Sequence, residues 1–442
     1  MKHFLFLMLL SCNLYIAKAQ ERWDLQRCIN YAIEHNINIK QQQTSLQYYE
    51  NQLKQSKNNR LPGVNGSLSN RFSLGRSLQS DNTYADYNSN VSSGGLNADV
   101  TLWNGSSLTR SIRMADFDLR AGLQDFQKAK DDIIMSVAAS YLQILFDEEL
   151  LQVAKDQMEV TKLQINRTKK LIESGVTARG SLLEIEAQLA REELNIVNQE
   201  NMLNLDYLNL YQLLELSGTN HFKVVKPALP VISANRSLLS SVIVFENAIN
   251  IRPEVKSAEL KLESFKTQVD IARSNLYPSL SLGFNYNNFF NNKYRDMAGG
   301  KVPFSEQLGN NDTYGIGVSL NIPVFNKFQA RTNIKNAELQ VNSRELELQN
   351  TKNILRKEIE QAHSNAVAAL NKYIAGTKVV ESEEEAFRYM EEKFNAGLVN
   401  TVEYNQSKNN LTKASSELVQ AKYDYIFRTK ILDFYNGIPI EL

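Results

Sequence analysis

The sequence predicts a mixed α/β membrane protein, internally duplicated, with long coiled-coil helices and four β-strands per chain. Three observations carry this reading. Short motifs occur twice in the same order, apolar residues repeat every seven positions over very long helical stretches, and four segments alternate apolar with polar residues.

The duplication organises the rest of the chain. Asn30-Tyr31-Ala32-Ile33 is answered by Glu246-Asn247-Ala248-Ile249, 216 positions later, and the same offset carries Lys40 onto Lys256 and Pro62 onto Pro278. Leu102-Trp103-Asn104 meets Val324-Phe325-Asn326, and Ser174-Gly175-Val176 meets Ala396-Gly397-Leu398, both at an offset of 222. An ordered series of this kind means two copies of one plan: helix, strand, polar loop, strand, very long helix, glycine turn, helix. The predicted first repeat is 20–216, with strands at 64–74 and 96–103, a long helix at 106–173 and a helix at 181–216. A linker follows at 217–237, marked by Gly218, Pro227 and Pro230. The second repeat is 238–437, with strands at 279–290 and 314–325, a long helix at 327–395 and a helix at 401–435, before a tail at 438–442.

Each strand is justified by its period of two. Val64, Leu68, Phe72 and Leu74 alternate with Asn65, Ser67, Ser69 and Arg71; Leu96, Ala98, Val100 and Leu102 alternate with Asn97, Asp99 and Thr101. Leu280, Leu282, Phe284 and Tyr286 alternate with Ser281, Gly283 and Asn285, and Tyr314 to Val324 continues the pattern. Pro62 and Pro278 each end a helix and open a strand, since proline has no N–H to continue a helical ladder. Phe289 and Phe290 sit where an outer aromatic girdle belongs.

The helices are justified by their heptads. Val137, Ile144, Leu151, Met158, Ile165 and Ile172 are spaced by seven, as are Ile334, Val341, Leu348, Leu355, Ala362 and Ala369. Sustained spacing of seven means left-handed coiled-coil packing. The helix predicted at 106–173 would be roughly 100 Å long at ~1.5 Å per residue.

Composition excludes several classes. There are 49 basic and 49 acidic side chains, so no net field attracts nucleic acid. At 43% hydrophobic and 22% charged, the chain is not disordered throughout. Residues 1–19 read as a signal peptide: Lys2, an apolar stretch from Phe4 to Ile16, and Ala17-Lys18-Ala19 as cleavage site. Leu9-Leu10-Ser11-Cys12 also reads as a lipobox, but the apolar run past Cys12 favours simple cleavage. Beyond this segment no run of 18 apolar residues occurs, so no helix is predicted to span a membrane. No metal, cofactor or catalytic residue is predicted, because His35, His221 and His363 are widely separated and no nucleophile or Walker motif is present. The acidic runs Glu383-Glu384-Glu385 and Asp147-Glu148-Glu149 are expected on solvated helix faces.

The strands must bury their apolar face against either helices or lipid. Their length, near the 9–11 residues that cross a bilayer, and their polar opposite face favour lipid. In lipid a sheet must close, and four strands are too few to close around water, so the chain is predicted to share a barrel with copies of itself.

Asn59-Arg60-Leu61-Pro62 and Asn275-Leu276-Tyr277-Pro278 precede the outgoing strands, Trp103-Asn104-Gly105 and Phe325-Asn326 follow the returning ones, and Ser174-Gly175-Val176-Thr177 and Ala396-Gly397-Leu398-Val399 form the turns. In that order they make the chain resemble the outer membrane efflux protein family, the TolC-like channels of Gram-negative envelopes, from Trp23 to Gly437. The resemblance implies a homotrimer with a 12-stranded transmembrane β-barrel, embedded in outer membrane lipid, and a periplasmic α-barrel. It implies a periplasmic adaptor and an inner-membrane pump or ABC exporter as partners, and efflux or type I secretion as the function. It places a periplasmic gate at Glu403, Gln406 and Phe394, with Glu184 and Glu186 as further acidic candidates, and adaptor contacts at Gly175, Val176, Gly397 and Leu398. Gln406 is uncharged and Val399 is not basic, which departs from the ionic lock of some members. The alternative is a periplasmic coiled-coil adaptor or scaffold without a pore.

Overall fold

The computed structural model describes residues 22–78, 82–216, 222–228, 232 and 238–441. The expected signal segment, Cys12, His221, Gly218 and Pro230 lie outside the described residues. In chain order the elements are β1 (Arg22–Trp23), α1 (Leu25–His35), α2 (Ile37–Asn58), β2 (Gly63–Ser73), β3 (Arg76–Leu78), β4 (Tyr84–Asp86), β5 (Ser89–Trp103), α3 (Ser107–Glu173) and α4 (Arg179–Leu213). They continue as β6 (Lys223–Val224), α5 (Ser241–Ile251), α6 (Pro253–Ser274), β7 (Ser279–Asn291), α7 (Phe304–Asn310), β8 (Thr313–Asn321), α8 (Gln329–Asn395) and α9 (Thr401–Tyr435).

The two halves match in length as well as order. Helices α3 and α8 have 67 residues each, and α4 and α9 have 35 each, every start and end 222 positions apart. Left-handed backbone recurs at the same offset: Gly105 and Ser106 answer Lys327 and Phe328, Gly175 answers Gly397, and Glu215 answers Gly437. The first helical segment of each half breaks at equivalent points. Asn36 caps α1 and Arg252 caps α5, each extended, with its N–H on the carbonyl four residues back. Each half was predicted to have a single helix here; in the second half Pro253 opens the new helix, since proline is favoured in a helix's first turn.

Several predicted boundaries move, each for a local reason. The long helices begin at Ser107 and Gln329 rather than 106 and 327, because Ser106, Lys327 and Phe328 are left-handed and cannot join a right-handed helix. Helix α4 runs Arg179–Leu213 rather than 181–216, ending before left-handed Glu215. Strand β8 stops at Asn321, so Ile322 and Val324 are not in the sheet; Pro323 has no N–H for the ladder. Strand β2 ends at Ser73, leaving Leu74 outside it, and β5 starts at Ser89, seven residues before the predicted 96. Two elements lie where only loop was predicted: the β3–β4 hairpin and α7.

Contacts divide the chain into two compact units that each draw on both repeats. One comprises the described residues of 1–44, 124–256 and 350–442, and the other those of 45–123 and 257–349.

In the first unit the heptad residues Val137, Ile144, Leu151, Ile165, Leu355, Ala362 and Ala369 are buried. Its core joins Trp23, Leu25, Cys28, Tyr141, Leu145 and Leu210. The supposed linker contributes β6, which pairs in parallel with β1. Tyrosines pin it: Tyr141 donates to the Val225 carbonyl at 2.6 Å, and Tyr211 to that of Phe222 at 2.9 Å. Two-residue strands have no stability of their own, so this side-chain clasp supplies what the short ladder lacks.

The second unit holds the principal sheet, antiparallel throughout in the order β2-β5-β7-β8. Arg110, near the start of α3, donates to the carbonyls of Gly105 and Asp270 and to the Ser274 hydroxyl at 2.8–3.1 Å. That bond set ties the start of α3 to the end of α6. Gly105 is required there twice over, by its φ of +63° and because a Cβ would lie 2.9 Å from the Ser274 carbonyl.

Candidate channel wall and tip turns

The register of the sheet sorts its residues into two faces. Val64 lies beside Ala98, Ala98 beside Phe284, and Phe284 beside Ile316; Val100, Leu282 and Val318 form the next row. The other face carries Asn65, Asn97, Asn285 and Gly315 in one row, with Asp99, Gly283 and Gly317 in the next. The apolar face is bare in a single chain: Leu68 is 93% exposed and Ile316 79%. Isolated exposed leucines need no explanation, but a contiguous apolar face over four strands does. Strands β2 and β8 pair on one side only, so each presents an open edge.

Pro62 and Pro278 each stand one residue before their strand. A bulge between Thr101 and Trp103 changes the foot of β5. It sets Trp103, and not Leu102, opposite Leu280, because an inserted residue reverses the facing of everything after it. Trp103 then meets Tyr277 edge-on at 6.5 Å, and Phe325 meets Phe328 at 5.5 Å, so aromatics collect at the strand feet. At the hairpin end only Phe290 has the apolar facing; Phe289 pairs with Ser93 on the polar face, which corrects the expected double girdle.

In the first unit, α3 and α8 end in the same turn. The Val176 N–H reaches the Leu171 carbonyl and that of Gly175 the Ile172 carbonyl, both at 2.9 Å; Leu398 to Lys393 and Gly397 to Phe394 repeat this at 2.9 and 3.1 Å. These are Schellman endings, in which a left-handed residue turns the chain out of the helix and satisfies its last carbonyls. Gly175 and Gly397 have φ of +75° and +72°, and Val176 and Leu398 project 71% and 74% exposed.

Of the predicted gate residues, Glu403 has a defined local task. Its carboxylate accepts the Asn400 N–H at 3.3 Å while the Asn400 side chain accepts the Glu403 N–H at 2.9 Å, a capping box at the start of α9. Gln406 donates to Asn410 at 2.9 Å. Phe394 packs on buried Tyr404, with centroids 4.7 Å apart, and Phe387 covers the same tyrosine at 5.5 Å. Glu184 and Glu186 are exposed on α4.

Sequence reasoning missed a buried polar cluster that joins α3, α4 and α9. Lys408 donates to Glu192 at 3.1 Å, to the Gln157 carbonyl at 3.0 Å and to Thr161; Thr161 in turn donates to Glu192. Gln188 adds a bond to Glu192 at 2.9 Å. Burial lowers the Lys408 pKa, against the opposing pull of Glu192. The acidic run Asp147-Glu148-Glu149 is not the solvated face that was expected. Asp147 is buried beside Gln143, Glu148 accepts from Tyr207, and Glu149 is held by Tyr423, Lys422 and Lys226. Burial and then Asp147 push the Asp206 pKa up to about 7. A heptad pattern cannot reveal such pairs, because their partners lie on other helices.

Among the described residues no helix is long and apolar enough to cross a membrane. A two-faced antiparallel sheet with open edges, in a duplicated chain of paired long helices, defines a channel-forming outer membrane protein. The chain belongs to the outer membrane efflux protein family, which matches residues 28–215 and 244–432. It is 24% identical over 368 residues to the outer membrane protein TolC of Vibrio cholerae serotype O1, covering 83% of this chain and 80% of that protein. It is 22% identical over 373 residues to the toxin and drug export protein A of Aggregatibacter actinomycetemcomitans, covering 83% and 76%. The crystal structure of the outer membrane protein VceC from Vibrio cholerae superposes with a TM-score of 0.76 at 16% identity, covering 94% and 97%. The chain is therefore an outer membrane channel of the efflux class, and the pore-less scaffold reading is set aside.

Proposed function

We propose that three copies of this chain close a 12-stranded barrel and form a passive conduit for small molecules or proteins. An inner-membrane pump or ABC exporter drives export, and a periplasmic adaptor docks at the tip turns. The single observation that carries this is the sheet with two bare edges and two faces. Strands β2 and β8, of 11 and 9 residues, each pair on one side only, and an edge of a second copy offers each a partner with the same two faces. The apolar face then meets lipid, and Asn65, Asn97, Asn285 and their row line water.

Val176 and Leu398, exposed at the glycine turns, are the adaptor contacts, together with Gly175 and Gly397. A ring of three Glu403 carboxylates sets a preference for cations, with Phe394 and Gln406 at the same constriction and Glu184 and Glu186 as additional charge. Glu403→Gln separates charge from capping, because glutamine also closes a capping box. The expected results are a detergent-resistant trimer and a small, cation-preferring conductance in planar bilayers. A soluble monomer sinks the conduit, and unchanged ion selectivity in Glu403→Gln sinks the gate assignment alone.

A further inference from the structure

Helix α7 lies on the apolar face of the sheet at its hairpin end. A seven-residue helix has no stability of its own, so its position is imposed by contacts. The Phe304 ring meets Phe290 edge-on at 5.0 Å, and the Asn288 side chain donates to the Leu308 carbonyl at 2.7 Å. Both Phe290 and Asn288 belong to the apolar-face register. Gln307, fully buried, accepts the Asn291 N–H at 2.9 Å and donates to the carbonyls of Asn291 and Val302 at 3.1 and 2.8 Å. Asn311 donates to the Phe289 carbonyl at 2.8 Å.

Between this helix and the sheet runs a groove of about 1170 Å³. Its roof is Phe304 and Leu308, and its floor is Leu68, Leu96 and Tyr286. Gly66 and Gly94 make the floor shallow, and the leucines lie flat across them: a Cβ on Gly94 would be 2.8 Å from Leu68, and one on Gly66 3.3 Å from Leu96. Towards the hairpin end the lining turns polar, at Asn70, Ser92 and Asn288. The groove is thus apolar at one end, polar at the other, and somewhat larger than the 300–1,000 Å³ usual for small-molecule sites.

We infer that this groove holds an acyl chain of an outer membrane lipid, with its head group at Asn70, Ser92 and Asn288. The inference rests on the proposed lipid contact of the sheet, and the floor is continuous with that face: Leu96 pairs with Tyr286, and Ala98 with Phe284, in successive rows. Hydrocarbon is the solvent on that side of the wall, and an apolar groove holds water poorly. The direct contacts of α7 with the sheet are all to β7, and beyond them the groove stays open over β5 and β2; a lipid clamped there fills it and fixes the hairpin end against the membrane.

The test is native mass spectrometry of the protein extracted in mild detergent from vesicles of phosphatidylethanolamine. The expected result is one phospholipid retained per chain in the wild type. Phe304→Ala with Leu308→Ala removes the roof, Gly66→Leu fills the floor, and each is expected to lose that lipid while the oligomer persists. A wild type that retains no lipid, or variants that all retain it, overturns the inference. A benzophenone attached at Leu308→Cys, with Cys28→Ala, adds a second readout: adducts to lipid support the inference, and adducts to another copy of the chain overturn it. Loss of lipid with trimer and conductance intact leaves the channel reading standing; failure of all three overturns both.

Discussion

Replacing Lys408 by methionine keeps the length of the side chain and removes its charge. The lysine and Glu192 side chains are 2% and 9% exposed, so the glutamate is left in the helix packing with no cation beside it. Breaking a buried pair from one side costs about 3–5 kcal/mol, because an uncompensated charge remains in a medium that solvates it poorly. At about 1.4 kcal/mol per tenfold, local opening around the pair should rise by about 10²- to 10⁴-fold. Hydrogen exchange read by mass spectrometry, on peptides covering 188–196 and 400–412 in detergent, measures that opening directly. Lys408→Met with Glu192→Leu should restore most of the protection, since an apolar pair in the same space is often neutral or better. Unchanged exchange in the single variant would refute the argument that the pair holds these helices. A double variant as labile as the single would show that lost packing, and not stranded charge, is the cause.

Three further outcomes are expected. Asp206 has its proton affinity raised by burial and by Asp147, to a pKa of about 7, so the folded chain keeps a proton that the unfolded chain has released above about pH 4. Stability should therefore fall as pH rises towards 7, and Asp206→Asn should flatten the thermal-unfolding profile between pH 5 and 8 and unfold later at pH 8. Cys28 is fully buried and its thiol pushed up to about 12, so a maleimide should label it only after denaturation. Gly175→Ala and Gly397→Ala meet no neighbouring atom, so each should cost only the left-handed backbone term, about 1–2 kcal/mol, seen as faster exchange in the last turns of α3 and α8.

Much of the fold was legible because it obeys simple periods. The period of two put Val64, Ala98, Phe284 and Ile316 on one face, and the structure lays them side by side. The period of seven picked out Val137, Ile144 and Leu355, which are buried. What escaped depends on residues distant in sequence or on broken periods. Trp103 changed face through a one-residue bulge. Helix α7 is too short to show a period, and Gln307 supports it through backbone bonds that no pattern announces. Lys408 looks like any helix lysine until Glu192, far away in the chain, comes to lie beside it. The capping role of Glu403 was available from its spacing to Asn400 alone, since an asparagine three residues before a glutamate is a helix-start signal.

The bare edges of β2 and β8 have a genetic consequence. If three copies close one ring, as proposed, every chain must offer both edges intact, and a chain spoiled at one edge, by a proline in β8 for example, would still occupy a place through the other. In a cell making sound and spoiled chains equally, only about one ring in eight of a three-chain assembly would contain none of the spoiled kind. Edge lesions should accordingly behave as dominant poisons in mixed expression, whereas a lesion that keeps the chain from folding at all should be recessive.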